Sequence, residues 1–334
     1  MEQVMKSITG SLASAASGVL VAAVLAFSPA QAQALKEITY LLPAPAFLPA
    51  FGPWQVAKQR GYYKAEGLDV KFQVARGGVD VAKQVGAGNA VIGGAIGDTP
   101  ILVRANGIPV KAVAVLGGRS LMQLVYNKDK GINGLKDLKG KTITALSYQD
   151  TTFFALLGML SSVGFGRSDV NAQAAGPVGV WKLFMAGQAD AMASVPDWTA
   201  IALANPKMKI GIIPADDVFK SMAQAIVASD KTIKEDPQLI GKLVRAKLKG
   251  MTDIMKDPDG AAIGYVKAVP QHKGKEKAMA ATFKLYNKYT YPGQKVVGQM
   301  DEARLSALQD FYLSQNIIKK KSPVKDLYTN QFVK

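Results

Sequence analysis

The 334-residue chain has no cysteine and a single histidine, His272. Those two shortages exclude disulfides, thiol nucleophiles, His-Cys pairs and most zinc sites, all of which need thiolates or several imidazoles. His272 lies in the polar run Gln271-His272-Lys273-Gly274-Lys275 and reads as a solvated surface residue. Phosphate-loop signatures are missing too. There is no Walker-type Gly-Lys-Ser/Thr, and Gly86-Ala87-Gly88-Asn89-Ala90-Val91 lacks the last glycine of a dinucleotide fingerprint and precedes a strand instead of following one. Asp216-Asp217 sits in a loop with no carboxylate partner and reads as a solvated pair. No catalytic residue, metal or cofactor is expected.

Acidic residues are in deficit, 25 against 41 basic ones, for a net charge of +16. The basic residues are scattered except for Lys319-Lys320-Lys321. Nucleic-acid binding calls for a basic stripe interleaved with aromatics; none is present, and no nucleic-acid partner is expected. The charge reads as a lysine-coated surface, or as an attraction for anionic solutes.

Long hydrophobic runs are also absent. The longest apolar stretch near the start, Gly18 to Phe27, is ten residues, where a bilayer-spanning helix needs about 20. Lys6 precedes it and Ser28-Pro29-Ala30-Gln31-Ala32-Gln33-Ala34 follows. That is the pattern of a cleaved export signal over residues 1–34, cut after Ala32 or Ala34. A mature chain without cysteine carries no lipid-bearing thiol, so the expectation is a free periplasmic protein and not a lipoprotein.

From Leu35 onward, short apolar strands alternate with capped helices, the pattern of an α/β fold with a mainly parallel sheet. Strands are expected at Ile38 to Leu42, Val70 to Val74, Ala90 to Ala95 and Val110 to Leu116. A second series follows Gly117-Gly118, at Gln123 to Tyr126, Thr142 to Leu146, Asn171 to Ala174, Asp190 to Val195 and Met208 to Ile213. Among the helices between them, one runs from Thr151 to Val163 and one begins near Val180. Thr99 is read as an N-cap with Pro100 opening its helix. Met222 to Ala228 is one more strand, and helices fill the rest, beginning at Asp236-Pro237 with Leu239, Ile240, Leu243, Val244, Met251 and Ile254 on one face.

This order predicts two lobes joined by two crossings: 35–118 with 226–334 as one lobe and 119–225 as the other. Such lobes close like a hinge on a ligand, which in open α/β sheets sits beyond the carboxyl ends of the strands. The loops there place hydroxyls and backbone N–H groups at helix starts, which bind anions, although Thr99, Asp150 and Asp197 would serve equally as ordinary caps. Of the loop aromatics, Phe51 and Trp54 fall at helical spacing and read as core, whereas Phe47, Tyr148 and Trp198 are better placed for a ligand. Arg119, at the first crossing, could grip a carboxylate or sulfonate in a bidentate fork or simply be a solvated hinge residue.

The run Phe51-Gly52-Pro53-Trp54 through Gly61-Tyr62-Tyr63-Lys64-Ala65-Glu66-Gly67-Leu68-Asp69-Val70 resembles the solute-binding proteins of nitrate/sulfonate/taurine-type ABC importers. Gly97-Asp98-Thr99-Pro100, Leu135-Lys136-Asp137-Leu138-Lys139-Gly140-Lys141, Gly187-Gln188-Ala189-Asp190-Ala191 and Asp326-Leu327-Tyr328-Thr329-Asn330-Gln331-Phe332 extend the match over nearly all the mature chain. One departure is Val195-Pro196-Asp197-Trp198, where relatives often show Trp-Asp-Pro-Tyr order.

The resemblance implies a two-lobed periplasmic-binding-protein fold with two crossings (type II), a permease partner in the inner membrane and a monomeric receptor. It places ligand contacts at Ala46, Phe47, Gly78, Asp98, Thr99, the loop Ser147 to Thr152 and Asp197. With Arg119, Tyr148 and Trp198 added from the residues themselves, the expected ligand is a small organic anion, a sulfonate or carboxylate with a possible aromatic body. The same superfamily contains hydroxymethylpyrimidine synthases, which carry a cysteine-rich motif and an active-site histidine; this chain has no cysteine. Thiamine-precursor binding or synthesis, or a receptor that feeds a signalling sensor, are the alternatives.

Overall fold

The computed structural model describes residues 34–334. The expected export signal therefore lies, except for Ala34, outside the described residues. In chain order the first part comprises β1 (Lys36–Leu42), a single helical turn at Pro49–Phe51, α1 (Gly52–Gln59), α2 (Tyr62–Ala65), β2 (Leu68–Val74), α3 (Gly78–Gly86), β3 (Ile92–Ile96), α4 (Thr99–Arg104) and β4 (Val110–Val115). Next come β5 (Gln123–Asn127), β6 (Thr142–Ala145), α5 (Thr151–Ser161), β7 (Asn171–Ala174), α6 (Gly176–Met185), β8 (Ala191–Ser194), α7 (Pro196–Leu203) and β9 (Ile210–Pro214). β10 (Gln224–Ser229) precedes a helical block of α8 (Asp230–Glu235), α9 (Pro237–Lys256), α10 (Pro258–Ala268), α11 (Glu276–Tyr289), α12 (Glu302–Ser314) and α13 (Val324–Leu327).

Two five-stranded sheets result, ordered β2-β1-β3-β10-β4 and β7-β6-β8-β5-β9. Each is mixed, where the sequence pattern predicts mainly parallel pairing. β10 runs antiparallel to β3 and β4, and β5 antiparallel to β8 and β9. These two strands are the ones that arrive from the opposite sheet. They enter at the carboxyl edge of their neighbours and must run the other way, so the exceptions follow from the double crossing itself. α6 starts at Gly176, earlier than expected, with Pro177 in its first turn, where a missing N–H costs nothing.

The two crossings touch one another. Leu116 N donates to Gln224 O at 2.7 Å and Leu121 N to Met222 O at 3.1 Å. Gly117 has φ +130°, and a Cβ there would meet the Thr290 carbonyl at 2.2 Å. The connection after α11 is thus pressed against the first crossing, at a place only glycine permits. Asp216, half-buried in the second crossing, accepts hydrogen bonds from Ser120 N, Ser120 Oγ and Arg304 Nη1 at 2.9, 3.0 and 2.6 Å. Burial alone would raise its carboxyl, but Arg304 and Ser120 outweigh that and hold it below the ordinary carboxylate range. The solvated Asp216-Asp217 pair expected from the sequence is instead an ion-paired junction.

α9 packs its apolar stripe on α1 and the first sheet, with Leu239, Ile240, Leu243, Val244, Met251 and Ile254 buried as their spacing predicts. Lys247 falls on the same stripe and is fully buried. Its ammonium lies over the Trp54 ring and has no hydrogen-bond partner among the described residues. Burial pushes its pKa well below that of an ordinary lysine, so the amine gives up its proton more readily than a solvated one.

Asp98 is the N-cap of α4, which begins at Thr99 and not one residue later. Its side chain does not cap the helix. It is fully buried, takes a 2.5 Å hydrogen bond from Tyr312 Oη of α12 through Oδ2, and leaves Oδ1 without a partner. Burial pushes this carboxyl up to about 7, with a smaller push from Asp150 and opposition from the Tyr312 hydrogen bond.

Two stability outcomes follow. Lys247→Met removes a buried amine that is costly to hold charged or unpaired, at little change of volume. It should raise unfolding free energy at pH 7 by about 1–3 kcal/mol, measured as a higher urea midpoint; a lower midpoint would show that the amine has a partner. Asp98 has a folded pKa above its unfolded one, so the stabilisation linked to its proton is complete below about pH 4 and lost as pH rises through about 7. Urea unfolding of wild type and Asp98→Asn at pH 5 and 8 should show wild type losing ground to the variant by a few kcal/mol as pH rises. A pH-independent difference would rule out the buried titration.

Candidate functional site

Between the two sheets, at the carboxyl ends of their strands, lies a cleft of about 430 Å³, within the range of small-molecule sites. The first lobe contributes the loop after β1, the turn into α3 and the start of α4. The second lobe contributes the loop from β6 into α5 and the start of α7. The chain places them together because every strand except β5 and β10 runs towards this edge, so each following helix begins there.

Seven of the twelve expected contacts line the cleft: Gly78, Thr99, Ser147, Thr151, Thr152, Asp197 and Trp198. The other five do not. Ala46 and Phe47 stand outside it, turned into the wall of the first lobe through their carbonyls. Ala46 O accepts from Gln55 Nε2 at 2.9 Å, and Phe47 O from Tyr265 Oη and from His272, whose Nε2 lies 2.7 Å away. His272, stacked on Tyr265, is therefore half-buried and tethered, not a free surface side chain. Asp98 is buried beneath Thr99 and committed to Tyr312. Arg119 is spent on the crossing, with Asp217 at 2.5 Å and Asp216 at 3.4 Å. Tyr148 points away, donating to Ala172 O at 2.9 Å beneath the Arg167 guanidinium.

Two lining residues, Lys83 and Gln224, carry no mark in the sequence, and Phe51, read there as core, is buried yet faces the cleft. Arg76 flanks the start of α3 with Lys83, and Gln149 lies in the Ser147 to Thr152 loop; both line the cleft. Arg76 falls in a loop that strand-end reasoning points to, because it precedes the Gly77-Gly78 turn. Lys83, one helical turn further on, carries no such mark.

The polar groups divide by lobe. At the start of α3 the N-cap is Gly77, which has no side chain to satisfy the first-turn N–H groups. The Gly78, Val79 and Asp80 N–H groups meet no acceptor among the described residues, although Asp80 turns its carboxylate back to Arg76 N at 2.9 Å. In the second lobe, Asp150 caps α5 through Thr152 N at 2.9 Å. Burial raises its carboxyl, with Thr152 opposing. Asp197 is pushed up to about 6 by burial, against hydrogen bonds from Ala50 N and Tyr286 Oη. Trp198, Leu146, Val195, Leu121, Leu48 and Phe51 supply apolar and aromatic wall. Among the described residues no cluster of His, Cys, Asp and Glu suits a metal ion, and no helix is long and apolar enough to cross a membrane.

Comparison with known proteins agrees with this geometry. The chain is 25% identical over 314 residues to the riboflavin-binding protein RibY of Chloroflexus aurantiacus, covering 90% of this chain and 86% of that protein. It is 25% identical over 252 residues to a 4-amino-5-hydroxymethyl-2-methylpyrimidine phosphate synthase of Saccharomyces cerevisiae, covering 70% and 72%. Among solved structures, the alkanesulfonate-binding protein SsuA of Xanthomonas axonopodis pv. citri, bound to MOPS, superposes with a TM-score of 0.67 at 17% identity over 89% of this chain and 98% of that one. The periplasmic aliphatic sulphonate-binding protein SsuA of Escherichia coli does so at 0.69 and 14%, over 87% and 96%. The two-lobed architecture is thus the periplasmic-binding-protein fold. The family model described as NMT1/THI5 like matches residues 48–261, spanning the cleft and both crossings, and the chain belongs to that family.

Proposed function

We propose that this chain is the periplasmic solute-binding component of an ABC importer and that it works by reversible capture, without a chemical step. Its lobes close on a small organic anion that carries a flat apolar or aromatic body. The observation that carries the ligand reading is the uneven lining of the cleft. The first lobe offers the uncapped start of α3 between Arg76 and Lys83; helix starts and guanidinium groups hold carboxylate, sulfonate and phosphate groups well. Trp198 and the aliphatic wall around it offer a stacking and burial surface instead.

The absence of cysteine and the position of His272 outside the cleft support a binder over a synthase. Residues 1–34, read as an export signal, support a periplasmic site of action, and the fold supports delivery to a membrane permease. A monomer suffices for this role, because both walls of the cleft come from one chain.

One specific observation favours a second reading. A relative that aligns over 90% of this chain at 25% identity is a riboflavin-binding protein, and Trp198 suits a neutral heteroaromatic ring as well as an aromatic anion. The two readings separate in a thermal-shift panel of taurine, benzoate, naphthalene-2-sulfonate, riboflavin and riboflavin 5′-phosphate, because a ligand of the folded state raises its melting temperature by mass action. The anion reading expects naphthalene-2-sulfonate or the flavin phosphate to shift the midpoint most. It also expects Arg76→Ala to weaken that ligand about tenfold or more, measured by calorimetry. Stabilisation by riboflavin alone, insensitive to Arg76→Ala, would replace it with the neutral reading.

A further inference from the structure

Asp197 lines the cleft, yet neither carboxylate oxygen is free for a ligand. Oδ2 accepts from Ala50 N at 3.0 Å and Oδ1 from Tyr286 Oη at 2.9 Å. Both donors belong to the first lobe: Ala50 sits in the turn between β1 and α1, and Tyr286 in α11. Asp197 opens α7 of the second lobe. The pair of hydrogen bonds therefore crosses from one lobe to the other, well away from the crossing strands in sequence. Tyr286 is fully buried and stacked on Tyr291 at 5.4 Å, so its hydroxyl is held in place. Asp197 forms no ion pair among the described residues. The titratable groups that act on it are Tyr286, Tyr291 and Tyr265, all neutral in this setting.

We propose that Asp197 is a clasp between the lobes: its carboxylate bridges Ala50 N and Tyr286 Oη to hold the cleft closed, and it sets the position of Trp198 beside it. Opening the hinge breaks both bonds and returns Asp197 to water, so the clasp counts towards closure even with no ligand bound. Ligand affinity then scales with the fraction of molecules already closed. A solute needs to contribute only the remainder, and Asp197 is a positioning residue, not a contact. Asn at this position keeps one acceptor but brings an N–H pair against one of the two donors. Tyr286→Phe removes a single donor and preserves the ring and its stack.

The inference rests on the hinge-closure reading, and the experiment separates the two. The chain has no cysteine, so Gln73→Cys and Lys182→Cys, one exposed site on each lobe, take spin labels without competition, and pulsed EPR reads the distance between lobes in ligand-free protein. Gly78→Trp, a wedge in the cleft, serves as the control for lobe movement. The clasp predicts that Tyr286→Phe and Asp197→Asn each lower the closed-to-open ratio about tenfold or more, lengthening the distance as the wedge does. If the wedge lengthens it and the two clasp variants match wild type, the clasp is refuted and hinge closure stands. If even the wedge leaves the distance unchanged, hinge closure falls and the clasp with it. Should Asp197→Asn fail to fold, Tyr286→Phe decides alone.

Discussion

The geometry of the molecule depends on a junction where three chain segments share one carboxylate. Asp216 of the second crossing takes hydrogen bonds from Ser120 of the first crossing and from Arg304 of α12, and Arg304 also reaches the Ser221 carbonyl at 2.7 Å. In a half-buried site, losing one partner leaves the other charge poorly matched and costs more than breaking a fully exposed pair. These bonds hold the two crossings side by side, with α12 braced across them. The cleft lies beside this junction, between the two sheets that the crossings connect.

Much of the architecture was legible in the sequence, since most of its strands and helices carry unambiguous periodicity and caps. What could not be read was strand direction. β5 and β10 have the same apolar composition as their neighbours, and their antiparallel sense comes only from the route the chain takes between lobes. Lys247 was illegible for a related reason. A lysine on an apolar helical stripe normally reaches solvent with its ammonium, and nothing local shows that this one is buried over the Trp54 ring.

The site was half legible. Loops at strand ends do meet at the cleft, and the residues that begin helices there face it. The failures were side chains with a stronger local commitment: Arg119 to Asp216 and Asp217, Asp98 to Tyr312, and Tyr148 to the Ala172 carbonyl. A single sequence shows which groups are available for a ligand. It does not show which of them the fold has already used, and that is why Asp197 falls in the cleft as expected but in a different role.

The place of β10 has a consequence for how the chain comes into being. It sits between β3 and β4 in the first sheet, yet about a hundred residues separate it from β4 in sequence. The other four strands of the first sheet therefore precede it in the chain, and the sheet cannot close until β10 reaches the gap between β3 and β4. Pairings over such long sequence separations form slowly. The second sheet, contiguous in sequence, can assemble first, and its completion delivers β10 to the gap. A chain of this topology cannot complete its first sheet until the segment through Ser229 is free to pair.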